Sequence, residues 1–149
     1  MLNSIPILPP NLGKIVTITP PAPVAGADFV FAVPIGTLIL PISFSCQFVT
    51  DATAVTRTMI LETFDGTDYT FLTPAQFLHV AGTTKQYNFQ AGNNVLVTIG
   101  AFGQQMVNMS SLNYLRFGDI LRTNIDNIQA GDAITAPVLK YMQWIQETS

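Results

Sequence analysis

Charge is what this chain has least of. Six basic and nine acidic side chains among 149 residues make 10 %, against about 25 % in an ordinary soluble domain. The net charge of −3 argues against a nucleic-acid binder, which needs a basic stripe to displace counterions from phosphate. Disorder is excluded from the other side, since 48 % of the residues are hydrophobic and disordered chains combine low hydrophobicity with high net charge. Cysteine and histidine occur once each, as Cys46 and His79. One cysteine rules out an internal disulfide and a multi-cysteine zinc site, and one histidine rules out a multi-histidine metal centre. Cys46, within Phe44-Ser45-Cys46-Gln47-Phe48, reads as a core thiol.

Several catalytic signatures are missing. The sequence holds no Gly-x-Ser-x-Gly elbow and no Walker or dinucleotide glycine pattern. His79 reads as a surface or helix-end residue with no nucleophile to serve. Glu62 and Asp65 resemble a glycosidase pair only by residue type. Three positions apart on a strand, they fall on opposite faces, and turn chemistry accounts for Asp65. Asp119, Asp126 and Asp132 lack the spacing of a calcium loop. The chain is expected not to be an enzyme and to need no cofactor or metal. Arg57 and Arg122 lie in expected strands, where each pairs with a carboxylate across the sheet or faces a partner chain.

The N-terminus has neither the basic nor the continuous apolar region of a signal peptide. Residues 29–50 carry no charge, but Pro34, Gly36 and Pro41 interrupt them and their period is two, so they read as a half-buried strand and not as a membrane span. On that alternation Leu38, Leu40, Ile42, Phe44, Cys46 and Phe48 share a face.

What is present is β-structure. Expected strands are 28–33, 37–49, 54–64, 67–72, 84–90, 94–102, 119–126 and 133–145, separated by turns such as Asp65-Gly66. One short helix is expected after Thr73-Pro74-Ala75-Gln76, which offers a cap, a first-turn proline and a capping-box glutamine, with Gly82 as its stop. About eight strands and one helix fit a jelly-roll-type antiparallel β-sandwich over 28–149. An immunoglobulin-like sandwich is the alternative, although it lacks the paired cysteines. Strands 94–102 and 133–145 are apolar on both faces. In the latter, Ile134, Ala136, Val138, Met142 and Trp144 alternate with Leu139, Tyr141 and Ile145. Such strands need an outer cover, which points to a homo-oligomer, with a trimer favoured.

Residues 1–27 contain six of the ten prolines and one charge, Lys14. They read as an extended proline-rich arm within which 14–19 adds a strand. Leu2, Ile5, Ile7, Leu8 and Leu12, together with Tyr141 and Trp144, are the candidate interface residues. The expectation is that the arm lies on another subunit.

Three strings then occur in order: Val55-Thr56-Arg57-Thr58-Met59-Ile60-Leu61-Glu62-Thr63-Phe64-Asp65-Gly66, Gln86-Tyr87-Asn88-Phe89-Gln90-Ala91-Gly92, and Gly118-Asp119-Ile120-Leu121-Arg122-Thr123 leading to Asn127-Ile128-Gln129-Ala130-Gly131-Asp132. Over about 38–145 this resembles small virion structural proteins of tailed bacteriophages. The resemblance implies a jelly-roll capsid decoration, or cement, protein, made in the bacterial cytoplasm and carried on the capsid surface. Its partners would be its own copies and the major capsid protein, with no nucleic acid and no membrane. The rival is a tail or fibre-tip receptor module that binds carbohydrate through Trp144, Tyr141, Asn93 or Asn94.

Overall fold

The computed structural model describes residues 13–74, 78–92, 97–99, 104–109 and 114–145. Eleven strands account for most of them: β1 (Lys14–Ile18), β2 (Val30–Ala32), β3 (Thr37–Val49), β4 (Thr58–Phe64), β5 (Tyr69–Pro74), β6 (Thr84–Ala91), β7 (Val97–Ile99), β8 (Gln104–Met109), β9 (Leu115–Arg116), β10 (Ile120–Asp126) and β11 (Ala133–Ile145). One sheet runs β1-β11-β3-β6-β8-β7, with β9 also on β3, and the other runs β2-β10-β4-β5. All neighbours are antiparallel except β6 and β8. The pairings nest. β4 meets β5, β3 meets β6, β2 meets β10 and β1 meets β11.

Between the sheets lies an aromatic core. Phe29 stacks on Phe44 at 4.8 Å between centroids, and Phe44 leads to Phe89 and Tyr87 at 6.1 and 6.2 Å steps. Leu61 and Leu121 close it from the smaller sheet, and Ile134 and Leu139 from the larger. The Phe29 amide, buried beneath the sheets, donates to Thr123 Oγ1 at 2.9 Å, which fixes the entry to β2.

Two bulges correct the expected face assignments. The β3–β11 register slips at Lys140/Tyr141, where Ser43 and Pro41 are successive partners and Ile42 is extra. An extra residue reverses the alternation. Phe44, Cys46 and Phe48 therefore face the core from one phase and Ile39 from the other, while Leu38 and Leu40 turn outward. The second slip, between Thr135 and Val138, contains Ala136 at φ 48°. Ile134 before it and Leu139 and Tyr141 after it all face inward, so the expected grouping of Ile134 with Val138, Met142 and Trp144 does not hold.

Three further expectations change. Thr73 and Pro74 end β5, and His79 forms an extended bridge with Arg57, so no helix is found among the described residues. The capping signal lost to strand pairing, because Thr73 and Pro74 lie opposite Leu61 and Ile60 of β4. Residues 14–18 pair with β11 of their own sheet, and Val16 and Ile18 pack on the core, so this part of the 1–27 segment belongs to the sandwich. Strands β8 and β9 were not expected. Leu2, Ile5, Ile7, Leu8, Leu12, Asn93 and Asn94 lie outside the described residues, and of the expected strand 94–102 only the backbone of Val97–Ile99, which forms β7, is described.

Candidate functional site

Arg57 stands just ahead of β4 and is fully buried. Its guanidinium has five N–H donors, and all five are used. Nε and Nη2 bind Asp132 through Oδ2 and Oδ1, both at 3.0 Å. Nη2 also reaches Asp51 Oδ1 at 2.6 Å, and Nη1 donates to the Thr53 and Val55 carbonyls at 2.8 and 2.7 Å. The Asp132 carboxylate further accepts the backbone N–H groups of Asp51 and Gln129, each at 2.8 Å. A side chain at Gly131 would come within 2.9 Å of Asp51, so the loop approaches this closely only as glycine. Burial alone would raise the Asp132 carboxyl, but the hydrogen bonds from Arg57 and the two amides outweigh it and hold the group below its ordinary range.

His79 completes this end of the sandwich. Its backbone exchanges two hydrogen bonds with Arg57, at 3.0 and 2.9 Å. The ring Nε2–H donates to the Thr83 carbonyl at 3.1 Å, and Nδ1 accepts the Tyr87 hydroxyl at 3.2 Å. Phe48 presents an edge-on ring 4.9 Å away. The expected surface or helix-end histidine is thus a buried one. Desolvation pushes its pKa down to about 4, so the imidazole is neutral at physiological pH. Together these groups form a lock joining the end of β3, the start of β4 and the start of β11. Its charged atoms are spent on each other and on backbone.

The other sequence candidates are spread out. Arg122 on β10 pairs with the buried Glu62 on β4 and lies over the Tyr69 ring at 4.5 Å. Asp65 Oδ1 accepts the Thr67 and Asp68 amides at 2.9 and 2.8 Å, as a turn residue does. Asp119 precedes β10 and Asp126 ends it, and no set of three or more metal-ligating side chains is gathered among the described residues. Burial pushes the Cys46 thiol up to about 12, leaving it unreactive. Tyr141 is in the core against Phe31, 5.8 Å between centroids, and is not a surface residue. Trp144 lies on the outer face, half-buried, with Tyr114 at 5.7 Å.

At the end away from the lock, a cavity of about 460 Å³ is lined by Thr63, Phe64, Asp65, Tyr114, Leu115, Arg116 and Asp119. Asp119 Oδ2 accepts the Arg116 amide at 2.7 Å and shapes the 116–119 turn. The Val33 amide donates to the Asp119 carbonyl, which brings the 34–36 turn alongside. Three large apolar or aromatic side chains stand out here: Ile35 at 76 % exposure, Phe117 at 60 % and Tyr114 at 58 %. Sequence reading missed this rim. Its signal was the run Tyr114-Leu115-Arg116-Phe117, an aromatic–arginine–aromatic stretch at a turn.

Comparison with protein-family models, with curated proteins and with solved structures finds no match to this chain.

Proposed function

We propose that this chain is a structural protein of a bacteriophage particle, a jelly-roll decoration protein that docks on the capsid by the end bearing Ile35, Tyr114 and Phe117. The orders β1-β11-β3-β6 and β2-β10-β4-β5 support the jelly-roll reading, because winding one long nested hairpin of eight strands into two sheets produces them. Strands β7, β8 and β9 are then an insertion before the last two strands. The strings that resemble phage virion proteins contain Arg57 in one and Asp132 in another, so they coincide with the lock that holds the sandwich together. A shared scaffold is what this reading takes the resemblance to mean.

The observation that carries the reading is the exposed rim. Tyr, Phe and Arg are enriched at protein interfaces, and Tyr and Arg are frequent hot spots; here Phe64, Tyr114 and Arg116 line a cavity at the end where Ile35 and Phe117 are exposed. At the other end the charges of Arg57, Asp51 and Asp132 are spent on each other and on backbone. Adding the purified protein to capsids stripped of decoration should give saturable binding and a higher temperature of genome release. Failure to bind any particle would overturn the reading.

The carbohydrate-binding alternative has its own observation, the Tyr114–Trp144 ring pair beside Arg116. Glycan-array binding without capsid affinity would select it. Self-association, with a trimer favoured, is part of the first reading.

A further inference from the structure

The molecule builds the same hydrogen-bonded turn twice. At Gly131-Asp132, the Asp132 amide donates to the Gln129 carbonyl at 2.9 Å, and the Gln129 amide donates back to Asp132 Oδ2 at 2.8 Å. At Gly118-Asp119, the Asp119 amide donates to the Arg116 carbonyl at 2.9 Å, and the Arg116 amide donates back to Asp119 Oδ2 at 2.7 Å. Both carboxylates are withdrawn from water, with exposures of 0 % and 7 %.

The two turns differ in what meets the other oxygen. Asp132 Oδ1 takes the Asp51 amide and Arg57 Nη2, and Arg57 Nε adds a bond to Oδ2. Asp51 also packs on Gly131, where a Cβ would lie 2.9 Å from it. Around Asp119 these groups have no counterpart. Among the described residues its Oδ1 has no hydrogen-bond or ion-pair partner, and a Cβ at Gly118 would meet nothing within 4 Å. Asp119 lines the 460 Å³ cavity instead, with Asp65, Phe64, Tyr114 and Arg116 among its neighbours there. A carboxylate this buried, with one amide donor, is under-compensated and favours a charged donor.

The cavity's own cation does not supply one. Arg116 is exposed and forms no ion pair among the described residues. The Asp68 and Thr67 amides hold Asp65 below the ordinary carboxylate range, and the Arg116 charge adds to their effect. The lining thus carries two carboxylates against one guanidinium. Two copies meeting by this end would bring like charge together, whereas a basic chain would neutralise it.

We infer that the Asp119 pocket accepts an arginine side chain from a different protein chain, which does for Asp119 what Arg57 does for Asp132. Arginine suits it better than lysine, because its planar fork reaches two acceptors at once and stacks on aromatic rings such as those of the lining. The inference deepens the docking proposal, and it rests on that proposal only for the partner being a capsid chain.

The probe is N-acetyl-argininamide, with its uncharged citrulline analogue and methyl glucoside as controls, and the backbone amide resonances of Leu115–Asp119 are the readout. A saturable shift is expected with the arginine probe alone. Asp119→Asn should weaken it about ten-fold or more, as loss of a buried charge partner does, and Asp126→Asn, at an exposed carboxylate elsewhere, should leave it unchanged. Asparagine still accepts the Arg116 amide, so the turn should persist; if circular dichroism shows otherwise, Tyr114→Ala must weaken binding several-fold. No saturable response at any soluble concentration, or an equal response to either control, overturns the inference. Unchanged binding in the folded variants does the same. Capsid binding by the parent protein then leaves the docking reading standing without it. A specific arginine response from a protein that binds no particle upholds the pocket and removes only the docking reading. Self-association abolished by Arg116→Gln and Asp119→Asn alike also overturns the inference, because the donor is then a second copy's arginine.

Discussion

Arg57 shows how much one side chain organises. Replacing it leaves Asp132 buried without its countercharge, which typically costs about 3–5 kcal/mol. Arg57→Ala should lower stability by about that amount in urea denaturation, and Arg57→Lys should not rescue it, since an ammonium cannot reproduce the bidentate fork and the two carbonyl contacts. His79 gives a pH dependence. Its pKa is near 6.5 when unfolded and about 4 when folded, so the unfolded chain takes up the proton first as pH falls. Stability should therefore fall between pH 6.5 and 4, by on the order of 2 kcal/mol. Asp132 and Asp51, both held below the ordinary carboxylate range, add a loss of the same sign at still lower pH. Urea midpoints at pH 7, 5 and 4 measure this, and His79→Gln should flatten the upper part of the slope. Arg57 was expected within a strand, pairing with a carboxylate across the sheet or facing a partner chain; it stands just ahead of β4 and takes carboxylates from two loops. Which carboxylates it takes was not readable, because Asp132 is brought in by the path of β11 and Asp51 by the end of β3. Histidine burial was hidden for a similar reason, since the local capping signal at Thr73 gave no sign of the bridge to Arg57.

At the scale of elements, the long strands were legible and their faces were not. Hairpin turns and the extents of β3 and β11 follow from turn residues and β-rich runs. A bulge, by contrast, changes which residues face inward without changing composition, and every alternation argument assumes it absent. Part of the doubly apolar appearance of β11 is this phase change, with Ile134 and Leu139 both inside; the outward Met142 and Trp144 are the remainder. Ala136, at φ 48°, is the point where the phase turns. Ala136→Gly should be neutral or stabilising by up to about 1 kcal/mol, and Ala136→Val should destabilise by about 1–2 kcal/mol, because a branched side chain strains that conformation. Thermal unfolding of both variants checks the pair. Deleting Ala136 should prevent folding, since Val138, Lys140 and Met142 would then be driven toward the core.

For the molecule as a whole, the two ends of the sandwich differ in how their side chains are used. One is held by ion pairs and backbone hydrogen bonds, with Leu78 and Val80 exposed on either side of His79, and the other leaves Ile35, Tyr114 and Phe117 in solvent. Substitutions at the open end should separate folding from association. Ile35→Asp and Phe117→Asp should leave unfolding within about 0.5 kcal/mol of the parent, as surface changes do. The same changes should weaken self-association or particle binding by about 2 kcal/mol or more if the rim is the docking site. Sedimentation velocity and particle co-sedimentation read the two effects side by side. None of this polarity between ends was visible in the sequence, because it depends on which turns the nested strands bring together.

That nesting also sets an order in time. Within the nest the β4–β5 turn is closed by residues near each other along the chain; each surrounding ladder joins segments farther apart, and Lys14 meets Gln143 last. Every outer closure must wait for the one inside it, so the protein should refold slowly, on the millisecond-to-second scale or beyond that sandwiches with distant pairings show. Amide exchange should run the sequence backward: β1 should open first and exchange fastest, while the β4–β10 ladder should hold its protons until the whole molecule unfolds.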